Sequence, residues 1–206
     1  KTWRTQVSLT VTDAAGKEVL RYARPDEDPG RKEYTPFTAP LEKGQKQPEE
    51  MSLEELVLAA EYRLKELNVT GAMDLLKQVL EKDEGFSRAH LLMGVHYFTV
   101  SRFEESVKHL KKAIERDPYL DEAYYYRAMG QFELGDVKGG ERNLYYIWPG
   151  SAYYANREYH LGRQLYLRGE LAEARKHLEE AVKVNGYYLT ARGVLAVYGQ
   201  VYERVK

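Results

Sequence analysis

The sequence contains no cysteine, which excludes disulfide bridges, thiolate metal sites and a cysteine nucleophile. This absence does not assign a compartment, because proteins on either side of a membrane can lack cysteine, and the localisation is left open. No apolar run approaches the ~20 residues that cross a bilayer, so we expect no membrane insertion. A formal net charge of -1 gives no electrostatic argument for nucleic acid as a partner.

The residue patterns of common catalytic sites are also missing. The five histidines show no HExxH spacing, and no two of them lie at i and i+4 on one helix face. Segment 130–135 lacks the Lys-Ser/Thr pair of a phosphate-binding loop. We therefore predict no enzyme activity, no catalytic residues, no metal and no cofactor.

What the sequence does contain is a self-match at an offset of 34 residues, which returns four times between residues 53 and 188. Equivalent positions of the four copies hold Leu76, Leu110, Leu144 and Leu178. Small residues, which let helices approach closely, fill two further columns: Ala72, Ser106, Gly140 and Ala174, and Ala60, Gly94, Ala128, Gly162 and Ala196. A repeat of this length indicates a supersecondary unit that buries its apolar face only by stacking on copies of itself.

Each copy divides into two helices. The second copy predicts helices over 87–100 and 103–115, and Pro118 ends the unit because proline cannot continue a helix. Gly135 and Gly169 mark the turn between the two helices in the third and fourth copies. These regular breaks exclude a long coiled coil. The predicted repeats are 53–86, 87–120, 121–154 and 155–188, followed by an end helix at 189–206.

The second copy resembles the tetratricopeptide repeat family in its small, aromatic, large apolar and closing proline positions: Gly94, Tyr97, Ser106, Leu110, Ala113 and Pro118. The fourth copy is similar, with Gly162, Leu165, Ala174, Leu178 and Ala181, although Gly186 replaces the proline. The first copy departs at Arg63 and Glu84, and the third at Gln131, Gly140 and Ile147. Trp148-Pro149-Gly150 also shortens the second helix of the third copy. The resemblance covers about three quarters of the chain and implies a mainly α, superhelical solenoid of helix pairs.

The first 51 residues differ from the repeats. Alternating apolar and polar residues on both sides of a turn at 12–17 predict a β-hairpin within 1–24. Five of the seven prolines lie between residues 25 and 50, which makes 25–51 an extended linker that is either an ordered strap against the helices or a mobile tether. Ser52 and Glu55 form a capping box that starts the first helix.

The hairpin, the proline-rich segment and the repeats together also resemble bacterial proteins in which a large β-sandwich domain of unknown function precedes tetratricopeptide repeats. The chain begins at Lys1 without an initiator methionine or an apolar signal core. This resemblance implies that the chain is an excised piece and that the hairpin is a remnant of such a domain.

In the tetratricopeptide repeat family the first helix of each repeat lines a concave groove. Carrying those positions over predicts a ligand-binding groove formed by Leu91, Val95, Phe98, Tyr125, Met129, Phe132, Tyr159, Arg163 and Tyr166. The chain has 18 tyrosines, more than packing requires, and tyrosine offers binding surfaces a rigid face with a polar tip. The alternative is a purely structural role, in which many of the tyrosines pack in the seams between helices, as we expect for Tyr97 and Tyr119.

The lysine, asparagine and arginine clamp that this family uses for C-terminal carboxylates is absent from the corresponding positions. Arg163 and His160 are the groups that could receive an anionic element of a ligand. The competing interpretation pairs Arg163 with Glu133 or Glu158.

The end helix presents a wide apolar surface that includes Val194, Leu195 and Val197. A solenoid normally ends in a helix with a polar outer face. This end is therefore truncated, self-associating or covered by the strap, and we hypothesise a homodimer or a further missing repeat.

These features favour a non-catalytic protein-protein interaction scaffold that binds a peptide or protein segment in an aromatic concave groove. The alternative is an accessory region of a carbohydrate-active enzyme whose catalytic β-domain is missing, with groove tyrosines stacking on sugar rings.

Overall fold

A computed structural model describes residues 9–22, 46–186 and 190–197, with the side chains of residues 21 and 22 excepted. The chain divides into two compact units, Lys1–Lys46 and Gln47–Lys206. Several predicted segments lie outside the described residues. They are the start of the hairpin at 1–8, most of the proline-rich segment at 25–45, and the last residues of the end helix at 198–206.

The first unit contains the predicted hairpin. Strands β1 (Leu9–Thr12) and β2 (Glu18–Tyr22) pair antiparallel, with Leu9 opposite Tyr22 and a bulge between Val11 and Thr12. The turn is built by Asp13, whose Oδ1 accepts hydrogen bonds from the backbone N–H groups of Ala15 and Lys17, both at 2.9 Å. Gly16 adopts a φ of 79°, which glycine reaches without steric cost.

The second unit is a succession of antiparallel helix pairs. Helices α1 (Leu53–Lys65), α3 (Ser87–Thr99), α5 (Asp121–Glu133) and α7 (Tyr154–Leu167) are the first members of the pairs. Helices α2 (Val69–Lys82), α4 (Phe103–Arg116), α6 (Val137–Tyr145) and α8 (Leu171–Val184) are the second members, and residues 190–197 are also helical. The predicted capping box starts α1: the Ser52 hydroxyl accepts from the Glu55 N–H, and the Glu55 carboxylate accepts from the Ser52 N–H.

The repeated leucines form the core of these pairs. Leu76, Leu110, Leu144 and Leu178 are all completely buried, as their spacing predicts. The leucines leave no space for a larger residue on the facing helix. A Cβ atom at Gly94, for example, would lie 2.5 Å from Leu110 Cγ. The mainly α solenoid of helix pairs is therefore confirmed.

Each turn between paired helices uses one residue in the left-handed region. These residues are spaced 34 apart along the chain and have φ values of 61°, 59°, 81° and 78°: Leu67, Ser101, Gly135 and Gly169. The third and fourth turns use glycine, whereas the first two place a side chain in this conformation.

The third pair is shortened as its sequence predicts. Helix α6 has 9 residues, whereas α2, α4 and α8 have 14 each. It ends before Trp148, and the buried Ile147 packs in the same cluster as Leu144. Among the described residues, no helix is both long and apolar enough to cross a membrane.

The end-helix prediction needs a partial correction. Val194 and Leu195 are half-buried against a cluster that contains Leu178 and Ala181, so they are not part of an open surface. Val197 is 54% exposed and remains on the outside. The difference arises because residues 190–197 pack on α8 as the next helix of the array.

Candidate ligand-binding groove

Aromatic side chains of α3, α5 and α7 form a continuous row. The Phe98 ring meets Tyr126 edge-on at a centroid distance of 5.5 Å, and Tyr126 lies 5.3 Å from Tyr125. Tyr125 is 5.9 Å from the His160 ring, which is 4.9 Å from Tyr159. These distances are those of favourable ring pairs, so one aromatic surface crosses three successive pairs of helices.

Tyr153 joins this aromatic row from the residue that precedes α7. Its ring centroid lies 5.1 Å from Tyr125 and 6.5 Å from Tyr126. Burial, and after it the charge of Glu122, raises the pKa of Tyr153, so its hydroxyl keeps its proton at neutral pH. Tyr153 is not among the groove residues predicted from the sequence, because this tyrosine precedes the helix whose positions define the predicted groove.

His160 is a neutral member of the row. Its Nε2 lies 3.5 Å from the Tyr125 hydroxyl, at the limit of a hydrogen bond. Burial first, and then the charge of Arg163, lower the pKa of His160 to about 4. At pH 7 the guanidinium of Arg163 is therefore the cation at this end of the row, and His160 does not add a second positive charge.

Arg163 lies on the wall of an apolar cavity of about 300 Å³ between α7 and residues 190–197. The cavity is lined by Tyr159, Arg163, Tyr166, Leu167, Gly193, Val194 and Val197. The competing interpretation that pairs Arg163 with Glu158 is wrong. The carboxylate of Glu158 is buried and lies 3.2 Å from Arg157 Nε and 2.7 Å from His177 Nδ1.

The helical unit is similar to several solved structures. A MamA crystal structure has a TM-score of 0.63 at 20% identity, over 72% of this chain and 81% of that chain. PilF of Pseudomonas aeruginosa has a TM-score of 0.59 at 16% identity, over 68% of this chain and 64% of its own. A thermophilic TPR protein of Thermus thermophilus has a TM-score of 0.56 at 18% identity, over 77% of this chain and 84% of its own. The helical unit has the tetratricopeptide repeat fold.

Identities this low establish the fold of the repeats and leave their ligand open. Neither a family model nor a curated protein sequence matches the chain. The resemblance to tetratricopeptide repeats, which the small residues and leucines predicted, is thus confirmed for the fold.

The repeat structure places the nine predicted groove residues in two groups. Phe98, Tyr125, Tyr159 and Tyr166 are partly accessible, and Arg163 is exposed. Tyr125 joins the aromatic row with Phe98 and Tyr159, whereas Tyr159, Arg163 and Tyr166 share the cavity.

Of the four remaining predicted groove residues, Leu91 and Met129 are buried. Val95 and Phe132 are half-buried, in the same range as the first group. Leu91 is 1% exposed and packs with Leu110, and Val95 lies half-buried against the same cluster, so the prediction that Leu91 lines an open groove is wrong. Met129 is buried in the core of the third repeat. Phe132 fills the seam between α5 and α6, because its ring lies where a Cβ of Gly140 would be.

The two expected seam tyrosines have different environments. Tyr97 lies between α3 and α4, with its ring 5.3 Å from His109 and under the guanidinium of Arg102 at 4.7 Å. Tyr119 is 91% exposed, so the expectation that it fills a seam is wrong. Across the described part of the chain, no group of three or more histidine and acidic side chains is arranged to hold a metal ion.

Proposed function

We propose that the tetratricopeptide repeats are a non-catalytic scaffold that binds an extended protein segment along the aromatic row. The observation that carries this proposal is the unbroken series of ring contacts from Phe98 on α3, through Tyr126 and Tyr125 on α5, to His160 and Tyr159 on α7. Tyrosine and phenylalanine faces bury large areas at a small cost in side-chain entropy, which is why they dominate binding surfaces.

The shape and charge of the site indicate the chemistry of the segment. The apolar cavity beside Tyr159 and Tyr166 has room for one large apolar side chain, and Arg163 on its wall favours a neighbouring acidic group. Because His160 is neutral at pH 7, Arg163 is the cation that supplies this preference among the described residues that line the cavity. We therefore expect a segment with an aromatic or aliphatic anchor next to an acidic residue.

The proposal is tested by titrating a library of such peptides against the chain and against Tyr125→Ala and Tyr159→Ala. Each substitution removes one ring from the row, and we expect each to weaken binding by about tenfold or more, which is about 1.4 kcal/mol. Tyr119→Ala is the matched control, because Tyr119 is an exposed tyrosine with no ring contact to the row among the described residues. Equal affinity in all variants would contradict the groove assignment.

Two further predictions concern the class of ligand and the self-association of the chain. The same titrations test the first, and light scattering tests the second. If oligosaccharides rather than peptides lose binding in Tyr125→Ala and Tyr159→Ala, the repeats are the accessory region of a carbohydrate-active enzyme. If the apolar surface around Leu167 and Val197 joins two copies of the chain, light scattering will show a mass that rises with concentration. Leu167 and Val197 are 64% and 54% exposed, and substituting both by glutamate should then restore the monomer.

A further inference from the structure

The third repeat replaces part of its apolar seam with a buried polar network. Gln131 on α5 and Asn143 on α6 are 9% and 6% exposed, and the Asn143 amide donates to the Gln131 side-chain oxygen and to the Gly139 carbonyl at 3.0 Å. The Gln131 amide donates to Asp136 Oδ2 at 2.7 Å. Arg127 Nη1 donates to Asn143 Oδ1 at 3.3 Å and completes the network.

Arg127 also departs from the pattern of the repeat. The equivalent positions of the other copies, 34 residues apart, hold apolar residues: Ala59, Met93 and Leu161. Met93 and Leu161 are buried core residues. A guanidinium in this position loses hydration, and burial lowers the pKa of Arg127. Packing alone therefore gives no reason for arginine here.

The network borders a cavity of about 310 Å³ that is separate from the aromatic row. Tyr124, Arg127 and Gln131 lie on one face of α5, at positions i, i+3 and i+7, and line this cavity. Tyr125 and Tyr126 of the same helix belong to the aromatic row. Arg142 of α6 lines the cavity as well. The stacked rings of Tyr124 and Tyr146, with centroids 5.0 Å apart, form part of its wall.

The charges around the cavity are unbalanced. Two guanidinium groups, those of Arg127 and Arg142, line the cavity together with one carboxylate, that of Asp136. The charge of Glu115, which is not part of the lining, also acts on Arg127. Both oxygens of Asp136 are already engaged, Oδ2 by Gln131 and Oδ1 by the Gly139 N–H at 3.0 Å. Arg127 Nε is buried and has no hydrogen-bond partner among the described residues. The residues that line the cavity therefore carry two positive charges and one negative charge.

Gly139 is needed for the position of the Asp136 side chain in the cavity wall. A Cβ atom at Gly139 would lie 2.0 Å from Asp136 Oδ2 and 2.3 Å from Gln131 Nε2. Glycine at this position lets Asp136 accept hydrogen bonds from both the start of α6 and Gln131, so these two donors hold the carboxylate in place.

We propose that this cavity binds a small oxyanion, a carboxylate or a phosphate group, through Arg127 and Arg142. Guanidinium groups recognise such anions by two charge-assisted hydrogen bonds, which are stronger than those between neutral groups. The anion would accept hydrogen bonds from the terminal nitrogens of the two guanidinium groups and balance the excess positive charge of the lining residues. The site lies on a different face of α5 from the peptide groove and does not depend on it.

The test follows the Nε–Hε signals of the arginines by NMR while sodium phosphate or sodium acetate is added to the full chain at constant ionic strength. We expect a saturable shift of the Arg127 signal with at least one of the two anions, and none with chloride. Saturation by phosphate alone identifies a phosphate ligand, and saturation by acetate alone identifies a carboxylate ligand.

Variants separate the site from general ion binding. Arg142→Ala changes an exposed residue and is expected to weaken binding at least fivefold without unfolding the chain. Arg127→Met restores the apolar residue of the second repeat and should abolish binding, which is followed in this variant by the Arg142 signal. Arg175→Ala on α8, a surface arginine paired with Glu179, is the matched control and should bind as the unaltered chain does. Shifts that never saturate, that chloride reproduces, or that saturate at the same anion concentration in Arg142→Ala would overturn the proposal. Tyr125→Ala should leave the shifts unchanged.

Discussion

Acidification is expected to destabilise the second repeat through two histidines that meet between α3 and α4. His90 Nδ1 lies 2.9 Å from His109 Nδ1, and His90 Nε2 lies 2.8 Å from the carbonyl oxygen of Glu84. Because a carbonyl oxygen only accepts, His90 carries its proton on Nε2, and its Nδ1 accepts from the Nδ1–H of His109. Both rings are therefore satisfied while they are neutral.

Protonation of His109 is opposed in the folded chain. Burial, then His90, then the charges of Lys112 and Lys108 lower the pKa of His109 from 6.5 to about 4, and Glu105 opposes this only weakly. As the pH falls below 6.5, the unfolded chain binds a proton that the folded chain does not bind until about pH 4. The free energy of unfolding consequently falls across this window and levels off below it.

The size of the effect follows from the difference between the two pKa values. Each unit of difference corresponds to about 1.4 kcal/mol, so the full shift would give about 3 kcal/mol. The His109 ring is partly accessible, and solvent screening reduces the expected loss to about 1–2 kcal/mol. With a urea dependence of about 2 kcal/mol per molar, the midpoint of unfolding should fall by about 0.5–1 M.

Urea unfolding at pH 7.5, 6, 5 and 4 measures this loss, and His109→Phe isolates it from other titrating groups. The variant keeps a ring but removes the titrating group, so it should be less stable at pH 7.5, where His90 loses its donor, and less sensitive to acid. His160, whose pKa is also lowered to about 4, contributes in the same direction and should be additive because it lies in another repeat. If unaltered chain and His109→Phe lose stability in parallel, the reasoning about the buried pair is refuted.

Two further changes probe the packing of the repeats by urea unfolding. Gly94→Ala places a Cβ atom 2.5 Å from Leu110 Cγ and should destabilise by about 1 kcal/mol, because the clash outweighs the helix propensity of alanine. Gly193→Ala meets no described atom within 4 Å and should instead stabilise by up to about 1 kcal/mol, so a change of the same sign in both variants would contradict the steric argument. Glu158→Ala removes a buried carboxylate, leaving Arg157 without this ion partner and His177 without this hydrogen-bond partner, and we expect a loss of about 3 kcal/mol. A loss below about 1 kcal/mol would contradict a stabilising role for these contacts.

The architecture was predictable because it is encoded locally and repeatedly. Leu110 and Gly94 belong to columns of the 34-residue repeat, and their contact is reproduced by Leu178 and Gly162. The turn residues, the capping box at Ser52 and the shortening of α6 likewise depend on neighbours in sequence.

The site was less predictable because accessibility depends on contacts between repeats. Leu91 and Tyr125 occupy equivalent positions 34 residues apart, yet Leu91 is buried by α4 and α5 while Tyr125 remains partly accessible. The contact of His90 with His109 and that of Gln131 with Asn143 join different helices and leave no periodic signal. Only the departure of the third copy from the repeat pattern marked the polar cavity in advance.

The turns between paired helices use non-glycine residues in the first two repeats and glycine in the last two, which gives the array a gradient in stability. Leu67 and Ser101 hold a backbone geometry that costs an ordinary residue about 1 kcal/mol, whereas Gly135 and Gly169 hold it freely. In a linear array the intrinsic stabilities of the units add to those of their interfaces, so this cost falls on the first two repeats. Fraying should therefore begin at that end, while the two glycine-hinged repeats, which carry most of the aromatic row, stay folded longest.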